Sequence, residues 1–177
     1  PPQQSGMVVG GGYAPEPESR PHYNRQYQHE PPPPVGLKFI ATGTTWRVEA
    51  PDKSIYGEVV IPASHEGKSV SSIANFNDCP GITSVVIPNS VTAINGGAFN
   101  RSTGLTGIVI PASVATIGGG AFANCNNLYS VTFYGISTVT NGNYDNSTFP
   151  GNLGKVYQAG GPGTYVRQPG NPNWTRR

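Results

Sequence analysis

The feature that most constrains the fold is a segment that occurs twice in nearly the same form. VIPNSVTAINGGAFN at 86–100 is followed by VIPASVATIGGGAFA at 109–123, a shift of 23 residues. A fixed period of 20–50 residues is typical of repeat architectures, in which each repeat stacks on the next because one repeat cannot bury its own apolar face. The sequence therefore predicts a solenoid.

The period extends to both sides of these two lines. We align repeat one at 61–86, repeat two at 87–109, repeat three at 110–132, and a degenerate fourth repeat from Phe133. Apolar columns that recur in register predict one continuous core along the array. The six columns are Ile61, Ile87, Ile110 and Phe133; Val70, Val91 and Val114; Ile73, Ile94 and Ile117; Phe76, Phe99 and Phe122; Ile82, Leu105 and Leu128; Val85, Ile108 and Val131.

Each repeat also contains a strand pattern, L-x-x-L-x-L, as in LTGIVI at 105–110. Its alternation with a period of two directs Ile108 and Ile110 inward and Gly107 and Val109 outward. The segments SVTAI and SVATI are rich in strand formers and predict a second, short strand in each coil.

Composition divides the 177 residues into four regions. Residues 1–36 hold nine of the eighteen prolines and predict an extended or disordered arm. Residues 37–60 place apolar residues around a Thr-Gly-Thr turn, which predicts a hairpin that caps the first coil. The repeats occupy 61–156, and 157–177 forms either a cap on the last coil or a mobile basic tail.

The repeat IPxSVxxIxxxAFxxCxxLxxVx resembles the BspA-type leucine-rich repeat of bacterial surface proteins, most closely at 87–132. The resemblance implies a β-rich solenoid, here a short leucine-rich-repeat array of about four coils with capping segments. It also implies an exported protein, whether periplasmic, cell-surface or secreted, that binds host matrix or another protein. Pro1 rather than Met begins the sequence, which we interpret as a processed or trimmed form without its export signal.

The two cysteines, Cys79 and Cys125, fall in one column with Ser102 between them. Two coils separate the sulfurs by roughly 10 Å, whereas a disulfide needs Cα atoms within about 7 Å. The spacing therefore predicts two free, buried thiols. No His or second Cys repeats with them, so we expect no metal site.

Charged residues are nearly missing from repeats two and three. Arg101 is the one charged residue between Asp78 and Asp145, and acid–base catalysis needs positioned titratable side chains. We therefore predict a non-enzymatic protein with no catalytic residue and no cofactor. The net charge of +2 gives no sign of a nucleic-acid partner, and no apolar run is long enough to span a bilayer.

The outward positions of the strand pattern form a smooth, small, uncharged face, which is the candidate binding site. One interpretation is an ordinary solvated sheet face; the other is a contact surface for a protein partner or for a second copy of the chain. Its predicted members are Ser84, Gly107 and Ser130; Val86, Val109 and Thr132; Pro88, Pro111 and Tyr134, with Tyr129 at the edge.

Overall fold

The computed structural model describes residues 36–139 and 148–177. It is a β-solenoid of about four turns with a repeat spacing of ~24 residues, which confirms the predicted fold. The predicted arm at 1–36 lies outside the described residues except for Gly36, as does the segment 140–147 of the degenerate fourth repeat.

Thirteen strands and one helix are described. In chain order they are β1 (Lys38–Thr42), β2 (Thr45–Glu49), β3 (Tyr56–Val60), β4 (Ser64–His65), β5 (Lys68–Ala74), β6 (Gly81–Val86), β7 (Ala93–Ile94), β8 (Gly107–Ile110), β9 (Thr116–Ile117), β10 (Ser130–Phe133), β11 (Thr138–Val139), α1 (Leu153–Gly160), β12 (Gly163–Val166) and β13 (Thr175–Arg176).

The strands form two walls, because each coil contributes one strand to each. In the first wall β2, β5, β7, β9 and β11 pair in parallel, and β1 adds an antiparallel edge to β2. In the second wall β3 pairs with β6, and β8 pairs with β10, both in parallel. These two ladders lie side by side, since the amide of Thr106 donates to the carbonyl oxygen of Thr83 at 3.3 Å.

The core lies between the walls and follows the predicted columns. Every column residue is buried except Ile87, which is half-buried. The phenylalanine column stacks ring on ring, with centroid distances of 5.4 Å for Phe76–Phe99 and 5.3 Å for Phe99–Phe122. Phe149 adds a fourth ring, 5.0 Å from Phe122, although the alignment did not place it in the column.

The Cys/Ser column satisfies backbone carbonyls one coil earlier. The hydroxyl of Ser102 donates to the carbonyl oxygen of Phe76 at 2.6 Å, and the thiol of Cys125 donates to that of Phe99 at 3.0 Å. Both cysteines are free and buried, as the spacing predicts. Burial raises the pKa of Cys125 to about 12 and also raises that of Cys79, so both thiols are protonated at neutral pH.

Different residues close the two ends. The β1–β2 hairpin covers β5, and Trp46 donates its indole N–H to the carbonyl oxygen of His65 at 2.7 Å. At the other end, β12 and β13 extend the second wall, and α1 packs an aromatic cluster in which the Phe133 and Tyr157 rings lie 4.0 Å apart.

Two elements do not follow the predicted division into regions. Strand β3 falls in the segment 37–60 assigned to a cap, yet it pairs in parallel with β6 as a strand of the solenoid wall. Helix α1 spans Leu153–Gly160 and so lies on both sides of the boundary at 156/157. The functional division of the chain into four regions stays a prediction.

Candidate protein-binding face

The outward side chains of β6, β8 and β10 form the surface that we call the strand face. Ser130 lies opposite Gly107, and Thr132 lies opposite Val109, in the β8–β10 ladder. Ser84 and Val86 hold the equivalent positions in β6, one coil earlier. The inward positions between them, such as Ile108 and Val131, are buried, so strand alternation fixes which side chains reach the surface.

Exposure differs strongly within the strand face. Val86 and Val109 are 47% and 46% exposed, and Tyr134 is 69% exposed. Six further predicted residues are half-buried; they are Ser84, Pro88, Gly107, Tyr129, Ser130 and Thr132. The prediction that Pro111 points outward is wrong, since Pro111 is buried: it follows the last residue of β8, where the alternation that sets the strand face ends.

The C-terminal side of the strand face is held by its neighbours. The hydroxyls of Thr132 and Thr164 are hydrogen-bonded at 2.9 Å, which ties β10 to β12. The hydroxyl of Tyr129 donates to Oδ1 of Asn127 at 2.8 Å, and the Arg167 guanidinium lies 5.7 Å from its ring. Tyr129 and Thr132 are therefore less free to rearrange for a partner than Val86 and Val109 are.

The strand face carries no charge, because the outward positions of β6, β8 and β10 are occupied by Ser, Val, Gly and Thr alone. The nearest charge in the same rows is Glu58 of β3, which lies opposite Ser84. Its Oε2 accepts a hydrogen bond of 3.3 Å from the Ser84 hydroxyl. The surface is thus a neutral patch with a carboxylate on its N-terminal border.

A sequence profile of the BspA-type leucine-rich repeat region matches six copies over residues 64–153, half of the chain.

This protein belongs to the BspA-type leucine-rich repeat family.

A crystal structure of a T. pallidum leucine-rich repeat protein is similar to the chain, with 21% sequence identity and a TM-score of 0.43. That similarity covers 52% of this chain and 56% of the T. pallidum chain. A search of curated proteins finds no match. Leucine-rich repeat folds are typically non-catalytic protein-interaction modules.

The BspA-type repeats extend the strand face beyond the residues found from sequence. In β3, Glu58 and Val60 lie opposite Ser84 and Val86. The signal was present, because GEVV at 57–60 alternates as the repeat strands do, but the segment was assigned to the cap. On the other side, β12 adds residues to the same rows from an antiparallel strand outside the period, for which the sequence carries no signal.

Arg167, predicted as part of a cap or a basic tail, supplies hydrogen-bond donors to the last coil. Its guanidinium donates to the carbonyl oxygens of Leu128 and Asn126, both at 2.7 Å. Longer contacts of 3.5 Å reach Cys125 and Asn171. Burial lowers its pKa from the usual value, yet Arg is always charged in proteins. It borders a cavity of about 550 Å³, but its donors are already engaged, so it has a structural role.

The described part of the chain holds no candidate metal site. Within 36–139 and 148–177, no three His, Cys, Asp or Glu side chains lie together in a way that could hold a metal ion. Among the same residues, α1 is the one helix, and it is far too short to cross a membrane.

Proposed function

We propose that the protein binds another protein through the strand face. The observation that carries this proposal is the pair Val86 and Val109, two aliphatic side chains that are almost half exposed in the middle of an uncharged surface. Interface cores are depleted of charge, and exposed apolar patches on soluble domains mark contact sites. Tyr134, which is 69% exposed, adds an aromatic side chain of the kind enriched at interfaces.

The proposed partner is a protein of the host extracellular matrix or another protein, and the proposed location is exported or cell-envelope. Both come from the resemblance to BspA-type repeat proteins rather than from a residue of this chain. The neutral strand face is compatible with such a partner, because it can bind an uncharged protein surface through shape complementarity and apolar contacts.

A second candidate function is structural self-association through the same face or through an end of the solenoid. The observation that favours it is again the lack of charge on β6, β8 and β10, because a second copy would meet no like-charge repulsion there. The two candidates differ in what contacts the protein, and they involve the same residues where self-association uses the strand face.

The test of the first candidate is binding of the full chain to purified collagen, laminin and fibronectin, measured by biolayer interferometry. The double variant Val86→Glu/Val109→Glu places two unpaired charges in the neutral patch, where their desolvation is costly. We expect binding to become at least about tenfold weaker. The matched control, Thr92→Glu/Ala115→Glu, adds the same charge at exposed positions of the first wall and should bind as the parent does.

Sedimentation equilibrium separates the two candidates. A mass that stays monomeric as concentration rises supports binding of a different protein. A mass that rises with concentration, and that Val86→Glu/Val109→Glu returns to the monomer, supports self-association. A double variant that binds matrix protein normally and leaves the mass unchanged would refute the role of the strand face.

A further inference from the structure

The N-terminal edge of the second wall has no paired strand among residues 36–139 and 148–177. Strand β3 pairs with β6 on one side, and among the described residues no strand pairs with its other side. In the first wall the hairpin of β1 and β2 covers β5, and at the C-terminal end β12 covers β10. An uncovered edge presents unpaired N–H and C=O groups, which are a template for an added strand.

A cleft lies beside this edge. Its volume is about 430 Å³, and its wall includes Pro51, Ile55, Tyr56 and Val59. The Tyr56 side chain is 81% exposed, the most exposed of the large apolar or aromatic side chains described. A strand added along β3 would pass this cleft, so one of its alternate side chains has an apolar recess to enter.

The edge is also acidic. Asp52 and Glu58 both border the cleft. Hydrogen bonds from the hydroxyl and amide of Ser54 lower the pKa of Asp52, with a smaller contribution from Lys38, so this group is ionised at neutral pH. The ammonium of Lys53 donates instead to the carbonyl oxygen of Asn77 at 2.6 Å. Glu58 has no ion-pair partner among the described residues.

The charge on Glu58 decides which kind of strand can pair with the edge of β3. A second copy pairing antiparallel about the middle of β3 would set Glu58 against Glu58, and like charges directly opposite destabilise a strand pair. A strand with a basic side chain at that position would gain an attraction instead. The regular ladder of β3 resumes at Glu58 after the shift at Gly57, so Glu58–Val60 is the segment available for pairing.

We propose that the free edge of β3 binds an extended segment of a partner protein as an added strand, with a basic side chain of that segment beside Glu58. This site adjoins the strand face at Glu58 and does not depend on the function of that face. The recognition elements are the backbone of Glu58–Val60, the carboxylate of Glu58 and the cleft at Tyr56.

The test is an NMR titration of the full chain with two probes, the acetylated and amidated pentapeptides Thr-Val-Lys-Val-Thr and Thr-Val-Glu-Val-Thr. We expect amide shifts at 56–60 and binding of the Lys peptide about fivefold tighter than that of the Glu peptide. In Glu58→Lys the preference should reverse. Glu66→Lys makes the same change of charge at an exposed position outside the edge and should keep the parent's preference.

Equal binding of the two peptides, or no binding of either, would overturn the proposal. Amide hydrogen exchange of 56–60 in the chain alone tests whether a second copy or another segment of the same chain already pairs with β3. Fast exchange that the Lys peptide slows is the expected result. Protection without peptide that grows with concentration would assign the edge to a second copy, and protection independent of concentration to another segment of the same chain; either result overturns it. Val109→Glu, on β8 and one coil beyond β6, should leave peptide binding unchanged, which separates failure of this site from failure of the strand face.

Discussion

The interior coils and the C-terminal end of the solenoid solve the same physical problem with different residues. In the interior, each coil is completed by the equivalent residue of its neighbour: Phe99 stacks on Phe122, and Ser102 donates to the carbonyl oxygen of Phe76. At the C-terminal end, residues outside the 23-residue period complete the last coil. There Arg167 donates to the carbonyl oxygens of Leu128 and Asn126, and Phe149 ends the ring stack.

In the interior of the array the stabilising residues recur in every coil, whereas at its end each stabilising residue occurs once in the sequence. A repeat residue recurs because the next coil needs the same partner. A terminal residue has only to supply a donor or an aromatic surface, and an arginine or a tyrosine from any sequence position serves. Mutations at the two kinds of position should therefore differ in size and in how far their effects spread.

The largest effect is expected in the middle of the ring stack. Phe122 lies between Phe99 and Phe149 and is fully buried, so Phe122→Ala should lower the free energy of unfolding by about 3–5 kcal/mol. Urea unfolding followed by circular dichroism measures this loss. Tyr134→Ala, at an exposed position, should change it by less than about 0.5 kcal/mol. Equal unfolding curves for Phe122→Ala and the parent would show that the stack does not hold the coils together.

Arg167→Met tests how the C-terminal end of the solenoid is stabilised. The variant keeps much of the side-chain volume but leaves the carbonyl oxygens of Leu128 and Asn126 without their charged donor, so we expect a loss of about 1.5–3 kcal/mol. Hydrogen exchange should rise in β10 and β12 while β5 and β7 keep their protection. Arg177→Met, at an exposed position, is the control. A uniform rise in exchange along the chain would contradict a local end cap.

Ser102 tests the hydrogen bonds that link neighbouring coils in the interior. Ser102→Ala removes the donor to the carbonyl oxygen of Phe76 in a fully buried position, which should cost about 1–3 kcal/mol. Ser102→Cys should recover most of this loss, because Cys125 makes the same bond one coil later. Thermal unfolding of the three proteins checks the order. If the Cys variant were no better than the Ala variant, the column would not be interchangeable.

The smallest effect is expected at the N-terminal cap. A hydrogen bond from the Asn75 side chain, and then the Arg47 guanidinium, lower the pKa of Glu49 below its usual value of 4.5 against the opposing effect of burial. A lowered pKa stabilises the fold above the unfolded pKa, and this contribution is lost as pH falls through the folded pKa. Glu49→Gln should therefore lower stability at pH 7 by about 1 kcal/mol, with the difference from the parent shrinking in acid. A difference that is independent of pH would contradict this assignment.

The sequence predicted the parts of the molecule that repeat. Ile94, Ile117 and the three inner phenylalanines were assigned correctly because their 23-residue spacing is direct evidence of stacking. Phe149 escaped because an insertion places it 27 residues after Phe122. Arg167 escaped because its contacts join residues about forty positions apart and no periodic pattern marks them.

The strand face was predicted by alternation, which fixes the outward side chains within a strand but not beyond its end. Tyr134, one residue beyond β10, is exposed as predicted. Val86 and Val109 are exposed as expected, whereas Pro111, one residue beyond β8, is buried. Its two borders could not be assigned in the same way. Strand β3 had been read as cap, and β12 approaches from an antiparallel direction that the repeats do not anticipate.

The most direct test of the central claim, that the strand face is the binding surface, is hydroxyl-radical footprinting of the full chain with and without whichever of collagen, laminin and fibronectin binds in the interferometry test. We expect oxidation of Val86, Val109 and Tyr134 to fall in the complex. Exposed Ile40, in the first wall, should be oxidised equally in both samples. Protection of Ile40 with unchanged oxidation of Val86 and Val109 would contradict the account.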